Sequence, residues 1–262
     1  MSQTAVAGTA AFAKFMHVLQ LVADAPHPLA VAELARASGY PRATTHRIVA
    51  ALLEQGMLAE SVPGRYGLGP RLLELASRSW AAFDIRALLA PQLRALRDAT
   101  GATVHLAVPD RQAMTYIEKL EAPGPVRMVS RIGGRLMLHS SAVGKAYLAS
   151  LPGAELDAAL AGLPLPALMP NTLTSESALR AELDIVRARG YAIDNEENEA
   201  GIVCYGVALA GPDGRALAGV SVSTVRVGQA DPAACIAPLL ELRAAAVRQL
   251  TGAGPVAAGA AS

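Results

Sequence analysis

The sequence predicts an α+β protein. It has an N-terminal winged helix-turn-helix over residues 9–69, a linker helix over 70–83, and a C-terminal domain over 84–251 with flanking helices on an antiparallel sheet. Three observations carry this reading. Residues 34–48 run as a helix, a glycine-bearing turn and a second helix rich in Arg and Thr. A short hairpin built on Pro63-Gly64 follows it. Past Gly101 the apolar period changes from helical to alternating. A chain of 262 residues is long enough for two cores.

In the first domain, Phe12, Phe15, Met16, Leu19 and Val22 recur at helical spacing and predict a packing helix. Ala32, Leu34 and Ala35 supply the inner face of the next. Gly39 ends that helix because it takes a left-handed conformation without a Cβ penalty. Pro41 opens the following helix, where its missing N–H is harmless. Ile48, Val49 and Leu52 turn inward, while Arg42, Thr44, His46 and Arg47 project elsewhere. Such residues suit phosphates and groove edges, since Arg gives forked, charge-assisted bonds and the helix N–H groups add donors. An ordinary αα-corner with a solvated basic face is the plain alternative for residues 34–52. The segments Gly56–Glu60 and Ser61–Gly69 around Pro63-Gly64 read as a hairpin, and a helix-turn-helix followed by a hairpin is a winged helix.

Charge points the same way, through its distribution more than its size. Residues 1–80 hold seven Lys and Arg against five Asp and Glu, a net of +2, and the remainder has a net of −1. No acid lies between Glu33 and Glu54, whereas Arg36, Arg42 and Arg47 do. Positive potential is thereby focused on the second helix.

Composition excludes several classes. No run of about 18 residues is free of polar side chains, so no transmembrane helix is expected. Met1-Ser2-Gln3-Thr4 lacks the cationic start of a signal peptide. Two cysteines, Cys204 and Cys235, make no disulfide framework. A reducing cytoplasm is the expected location. Residues 252–262, made only of Gly, Ala, Pro, Val and Ser, read as a disordered tail.

Pro70 to Trp80 predicts a connecting helix whose Leu72, Leu75, Ala76 and Ser79 share a face. Asp84 is placed to cap a helix over Ile85–Thr100, with Leu88, Leu89, Leu93 and Leu96 inward. Strands are expected at 103–109, 113–118 and 126–130, then helices from Ser141 to Leu151 and from Ser175 to Arg189, the latter ended by Gly190. Two strands at 201–210 and 216–225 flank the turn Gly211-Pro212-Asp213-Gly214, and a last helix covers 232–250.

Three segments invite chemistry. Leu138 to Ala146 places small residues before a helix whose N–H groups can meet an anion such as a carboxylate; a plain Ser N-cap is the bland reading. Lys145 lacks P-loop spacing. Asp194, Glu196, Glu197 and Glu199 crowd one run, but without EF-hand spacing a contiguous acidic loop reads as solvated surface rather than a metal site. Ser221 and Ser223 alternate on a strand, so their hydroxyls share one face and can donate to a small acid if that face lines a cavity.

Taken in order, these motifs resemble the isocitrate-lyase-regulator (IclR) family of bacterial transcription factors from about residue 12 to 250. They are Leu34-Ala35…Gly39-Tyr40-Pro41…His46-Arg47, Arg65-Tyr66-Gly67-Leu68-Gly69, Leu138 to Ala146, and Asp194…Glu196-Glu197…Gly201…Cys204. The resemblance implies a winged-helix DNA-binding domain, a linker helix and a GAF-like effector domain, with dimers often pairing into tetramers. It implies a double-stranded operator contacted by Arg42, Thr44, Thr45, His46 and Arg47 on the reading helix and by Arg65 on the wing. It also implies a pocket for small organic or aromatic acids formed by Ala142, Val143, Asp194, Cys204, Ser221 and Ser223, with no metal or cofactor. The chain departs from the pattern at Ala43, often Ser, at Thr45, often a branched apolar residue, and at Tyr205-Gly206, where a small apolar pair is more usual.

A ligand-responsive regulator without catalytic residues is therefore the leading expectation. The alternative from another class is a hydrolase using Cys204 as nucleophile with His105 or His139 as base. A third is a redox or metal sensor on Cys204 and Cys235, which lack C-x-x-C spacing.

Overall fold

The computed structural model describes residues 9–81, 84–123, 128–226 and 231–251. The chain divides into two compact units at Asp84.

The first unit runs α1 (Ala10–Asp24), β1 (Leu29–Ala30), α2 (Val31–Ser38), α3 (Arg42–Glu54), β2 (Leu58–Val62), β3 (Arg65–Leu68) and α4 (Arg71–Ala81). Val18, Leu19, Val22, Leu34, Ile48, Val49, Leu52 and Leu58 form its core, with Phe15, Tyr66 and Leu72 at its edge. The inward face of α1 differs from the expected one. Phe12 is 67% exposed and Met16 is also exposed, whereas Val18 is sealed. The stripe runs 15, 18, 19, 22, closer to the 3.6 period than the predicted set. Ala32 likewise faces out, and Leu34 alone of the predicted α2 face is fully buried. Gly39 has φ +70°, the left-handed turn that the helix-turn-helix needs. β1 was not foreseen; its two residues pair with β3, giving a sheet of order β1-β3-β2. On α4, Leu72 reaches the core while Leu73 and Leu75 point outward.

The second unit runs α5 (Asp84–Thr100), β4 (Thr103–Asp110), β5 (Ala113–Leu120), β6 (Arg135–Met137), α6 (Ala142–Ser150), α7 (Gly153–Leu160), α8 (Glu176–Arg189), β7 (Ala192–Asn195), β8 (Ile202–Ala210), β9 (Ala216–Val225) and α9 (Pro232–Leu250). Its strands make one antiparallel sheet in the order β6-β5-β4-β9-β8-β7. Leu89, Leu93 and Leu96 are buried on α5, but Leu88 is 37% exposed. Val143, Ala146 and Leu148 of α6, Leu156 and Leu160 of α7, and Leu179, Leu183 and Val186 of α8 share a core with Ala107, Met114, Tyr116 and Ala192 of the sheet. Ser175 caps α8 by accepting from the Ala178 N–H, and Gly190 ends it at φ +86°.

Two strand assignments change. Of the strand expected at 126–130, Val126 and Arg127 lie outside the described residues, and Met128–Ser130 form none. The third strand is Arg135–Met137, paired with β5. A strand not predicted, β7, ends on Asp194-Asn195 at the start of the acidic run and pairs with β8. The tail expected at 252–262 lies outside the described residues. Among the described residues no helix is long and apolar enough to cross a membrane.

Candidate functional site

The helix expected to read DNA is α3. Ile48, Val49 and Leu52 anchor it in the core, which leaves Arg42, His46 and Arg47 on its exposed side and Thr44 half-buried. Thr45 departs from expectation. It is fully buried, and its hydroxyl donates to the Pro41 carbonyl at 3.3 Å. It belongs to the packing of the helix and has no surface to offer a groove. Tyr40, in the turn before α3, is held by His17 Nδ1 at 3.0 Å from its hydroxyl. On the wing, Arg65 donates to Glu33 Oε2 and to the Pro28 carbonyl. Glu33 also accepts the Ala30 N–H, the bond that does most to hold its carboxyl below its ordinary pKa. Arg65 thus ties the wing to the base of α2 while keeping part of its side chain in solvent.

In the second unit, one cavity of about 540 Å³ brings together Ala142, Val143, Asp194, Cys204, Ser221 and Ser223. The register explains why. Asp194 faces Cys204 across β7 and β8, Cys204 faces Ser223 across β8 and β9, and Ser221 faces His105 on β4. Alternation puts all of them on the side of the sheet where α6 lies. Gly206 lets α6 settle there, because a Cβ at that position would come within 2.9 Å of Ala142. Ser141 is a working N-cap. Its hydroxyl accepts the Gly144 N–H at 3.1 Å and donates to the Met137 carbonyl at 2.7 Å.

The acidic run is solvated only in part, at Glu199. Asp194 and Glu197 are buried. Asp194 accepts the Glu197 N–H at 2.8 Å and Asn198 Nδ2 at 2.7 Å, and Asn198 in turn accepts from Ser140. Burial still outweighs these donors and raises the Asp194 pKa above its ordinary value. Glu197 receives Lys145 Nζ at 2.5 Å, Glu196 bonds Arg226, and so each of these carboxylates has a protein partner. Among the described residues no group of His, Cys, Asp and Glu is arranged to hold a metal. A larger, open cleft of about 1150 Å³ lies beside β7, where Lys145 pairs with Glu197, Arg189 with Glu182 and Arg226 with Glu196.

Residues 78–249 match the family model for the bacterial transcriptional regulator IclR C-terminal domain, and residues 11–61 match the IclR helix-turn-helix domain. The chain belongs to the IclR family. Among IclR-family relatives, it is 34% identical over 211 residues to the HTH-type transcriptional regulator XynR of Escherichia coli, covering 80% of this chain and 84% of that one. It is 30% identical to the transcriptional repressor IclR of the same organism, over 79% and 77% of the two chains. The crystal structure of Thermotoga maritima IclR superposes with a TM-score of 0.76 at 33% identity, over 92% and 98% of the chains. An IclR homolog from Microbacterium hydrocarbonoxydans complexed with 4-hydroxybenzoate gives 0.79 at 25% identity, over 93% and 100%. The IclR-family chain is thus a transcriptional regulator with a helix-turn-helix and an effector-binding C-terminal domain.

Cysteine chemistry does not fit this IclR-family site. Burial pushes the Cys204 thiol up to about 12, so it keeps its proton at neutral pH and offers no nucleophile. His139 bonds the Pro166 carbonyl and is not among the cavity's lining residues. Sequence reading missed several lining residues: Tyr116, Ser130, Asn198 and, as a site member, His105. His105 stacks on Tyr116 with ring centroids 4.4 Å apart. The signal available was β4–β5 pairing, which sets these two side chains near each other, but its register carries a bulge between Leu106 and Ala107.

Proposed function

We propose that this regulator binds a pseudo-palindromic operator as a homodimer or dimer of dimers, reads it with α3, and is modulated by a small organic acid, aromatic acids included, held in the β-sheet cavity of the second unit. The observation that carries the reading is the convergence of Ala142, Val143, Asp194, Cys204, Ser221 and Ser223 on one cavity of about 540 Å³, within the usual size of a small-molecule site. Hydroxyls of Ser221 and Ser223 and the first N–H groups of α6 suit a carboxylate, while Val143, Leu136 and Ile202 supply apolar wall. Asp194 stands as an acceptor for a ligand hydroxyl rather than a neighbour for its carboxylate, since like charges at contact repel. The related structure with 4-hydroxybenzoate supports an aromatic acid as the first probe. The operator lies in the cytoplasm, where the regulator acts.

On α3, Arg47 and Thr44 position the helix on phosphates, and Arg42 and His46 reach base edges. Arg65 steadies the wing against the backbone. The test is a thermal-shift screen of small carboxylic and aromatic acids on the full chain, followed by operator binding with and without any ligand found. A ligand at a hundred times its Kd stabilises by about 2.7 kcal/mol. Ser221→Ala combined with Ser223→Ala should abolish the ligand's effect on operator affinity and leave ligand-free binding intact. Unchanged ligand affinity in that double variant moves the pocket elsewhere.

A further inference from the structure

We propose that His105 carries its proton on Nδ1 and so makes Ser223 a hydroxyl that can only donate into the cavity, obliging the ligand to present a hydrogen-bond acceptor there. The inference rests on the reading of the cavity as an effector site, but its first step concerns the protein alone.

Four side chains form a line along the cavity wall. Cys204 Sγ lies 3.1 Å from Ser223 Oγ, Ser223 Oγ lies 3.4 Å from His105 Nδ1, and His105 Nε2 lies 2.8 Å from Ser130 Oγ. The thiol is protonated and has one hydrogen to give. The imidazole is neutral as well, because burial, helped by Lys119, lowers its pKa to about 3. A neutral imidazole donates through one nitrogen and accepts through the other. Two arrangements follow. If Nε2 carries the hydrogen, it donates to Ser130, and Ser223 spends its own proton on Nδ1. If Nδ1 carries it, Ser223 accepts from the ring and Ser130 donates to Nε2.

The charge beyond Ser130 decides between them. Beyond Ser130, Lys119 Nζ lies 2.7 Å from the Ser130 carbonyl oxygen and 2.8 Å from that of Met128. An ammonium there favours the lone pair of Nε2 over an N–H. Glu121, 3.2 Å from Lys119, offsets part of that charge, yet the net influence of Lys119 on the ring remains that of a cation. At the other end, Cys204 faces both Ser223 and Asp194 across the sheet. The cation at the Ser130 end therefore selects the Nδ1–H form, with Ser223 placed to accept from it.

The consequence falls on Ser223. A hydroxyl oxygen has two lone pairs. Here the thiol S–H takes one and the imidazole N–H the other, so only the O–H remains. Ser221, two residues before Ser223 on β9, has no side-chain hydrogen bond among the described residues and is free to donate or accept. The cavity therefore contains one adaptable hydroxyl and one fixed donor. A carboxylate or carbonyl oxygen satisfies the fixed donor, and an ammonium or amide N–H does not. His105 is a positioning residue in this account.

Long-range proton–nitrogen NMR on the full chain, labelled at histidine, reads the tautomer without any ligand. Ser130→Ala and Ser223→Ala, each of which perturbs one ring nitrogen, identify the His105 signals. The expected result is the Nδ1–H form; the Nε2–H form overturns the inference. Calorimetry with benzoate and 4-hydroxybenzoate gives the second readout. Ser223→Ala should weaken binding about tenfold or more, as expected for a lost bond to a charged acceptor, and Ser130→Ala less than about threefold. Equal losses overturn it, because a free Ser130 donor belongs to the rejected arrangement. Absence of any acid binding to the wild-type chain counts against the effector-site reading, while the tautomer stands or falls by itself.

Discussion

Lys145 on α6 and Glu197, fifty-two residues further along the chain, meet at 2.5 Å with both side chains almost sealed from solvent. Glu182 stands 3.6 Å from the same ammonium, and Glu197 Oε2 has no hydrogen-bond partner. The pair joins α6, which floors the cavity, to the loop that follows β7. Removing one member leaves a buried charge without its counter-ion, which costs about 3–5 kcal/mol, whereas replacing both with apolar groups is often neutral. Lys145→Met should therefore destabilise the second unit by about that amount in urea unfolding of the full chain. Lys145→Met combined with Glu197→Leu should recover more than half of it. A double variant as unstable as the single one sinks this account.

Asp194 supplies a pH test. Its pKa is raised above 3.8 by burial, so the folded chain holds this proton more tightly than the unfolded chain. The stabilising contribution is complete below pH 3.8 and is lost as pH rises through the folded value. Asp194→Asn cannot titrate. Whatever its offset in Tm, the variant should gain on the wild type as pH rises from 3.8 toward neutrality. Parallel Tm profiles across that window count against a raised Asp194.

On α3 the buried hydroxyl and the exposed cations should separate cleanly. Thr45 sits in the helix core with its hydroxyl on Pro41, so Thr45→Val should change stability by no more than about 1 kcal/mol and leave operator affinity alone. Arg47→Ala should weaken binding to every sequence and lower the salt slope by about 1. Arg42→Ala should relax discrimination at one base position by about 1–3 kcal/mol. An Arg47→Ala variant with unchanged affinity and salt slope means that the reading helix is misplaced.

These residues also mark what a single sequence can and cannot disclose. Elements whose ends carry chemistry are plain in it: Ser141 and Ser175 as N-caps, Gly39 and Gly190 as left-handed stops, and the turn between β8 and β9. Thr45 entered the operator contacts through the resemblance, although its spacing from Ile48, Val49 and Leu52 already places it on the inward face of α3. α7 and the strands β1, β6 and β7 were missed. Strands of two to four residues are too short to show a period, and β7 hides in a run of carboxylates. The six cavity residues were legible because each lies in a motif. His105, Tyr116 and Ser130 meet only through strand register and a loop, which no local pattern encodes.

The linker helix carries the last prediction. Leu72 of α4 joins the core of the first unit, but Leu73 is 74% exposed and Leu75 is 42% exposed, on a chain whose α1 also presents Phe12 and Met16. Burying a leucine side chain is worth about 1.5–3 kcal/mol, so four such residues left in water are a strong drive toward association. The same helix of a second copy is the economical cover for Leu73 and Leu75, and a dimer sets two reading helices about one helical turn apart. Leu75→Asp should give a folded, ligand-competent chain with much weaker operator binding. The loss arises because a second half-site contact, once tethered, adds about 10²–10⁴ in effective affinity. Light scattering decides the matter: the variant should shift toward monomer, and a wild type already monomeric at micromolar concentration refutes the arrangement.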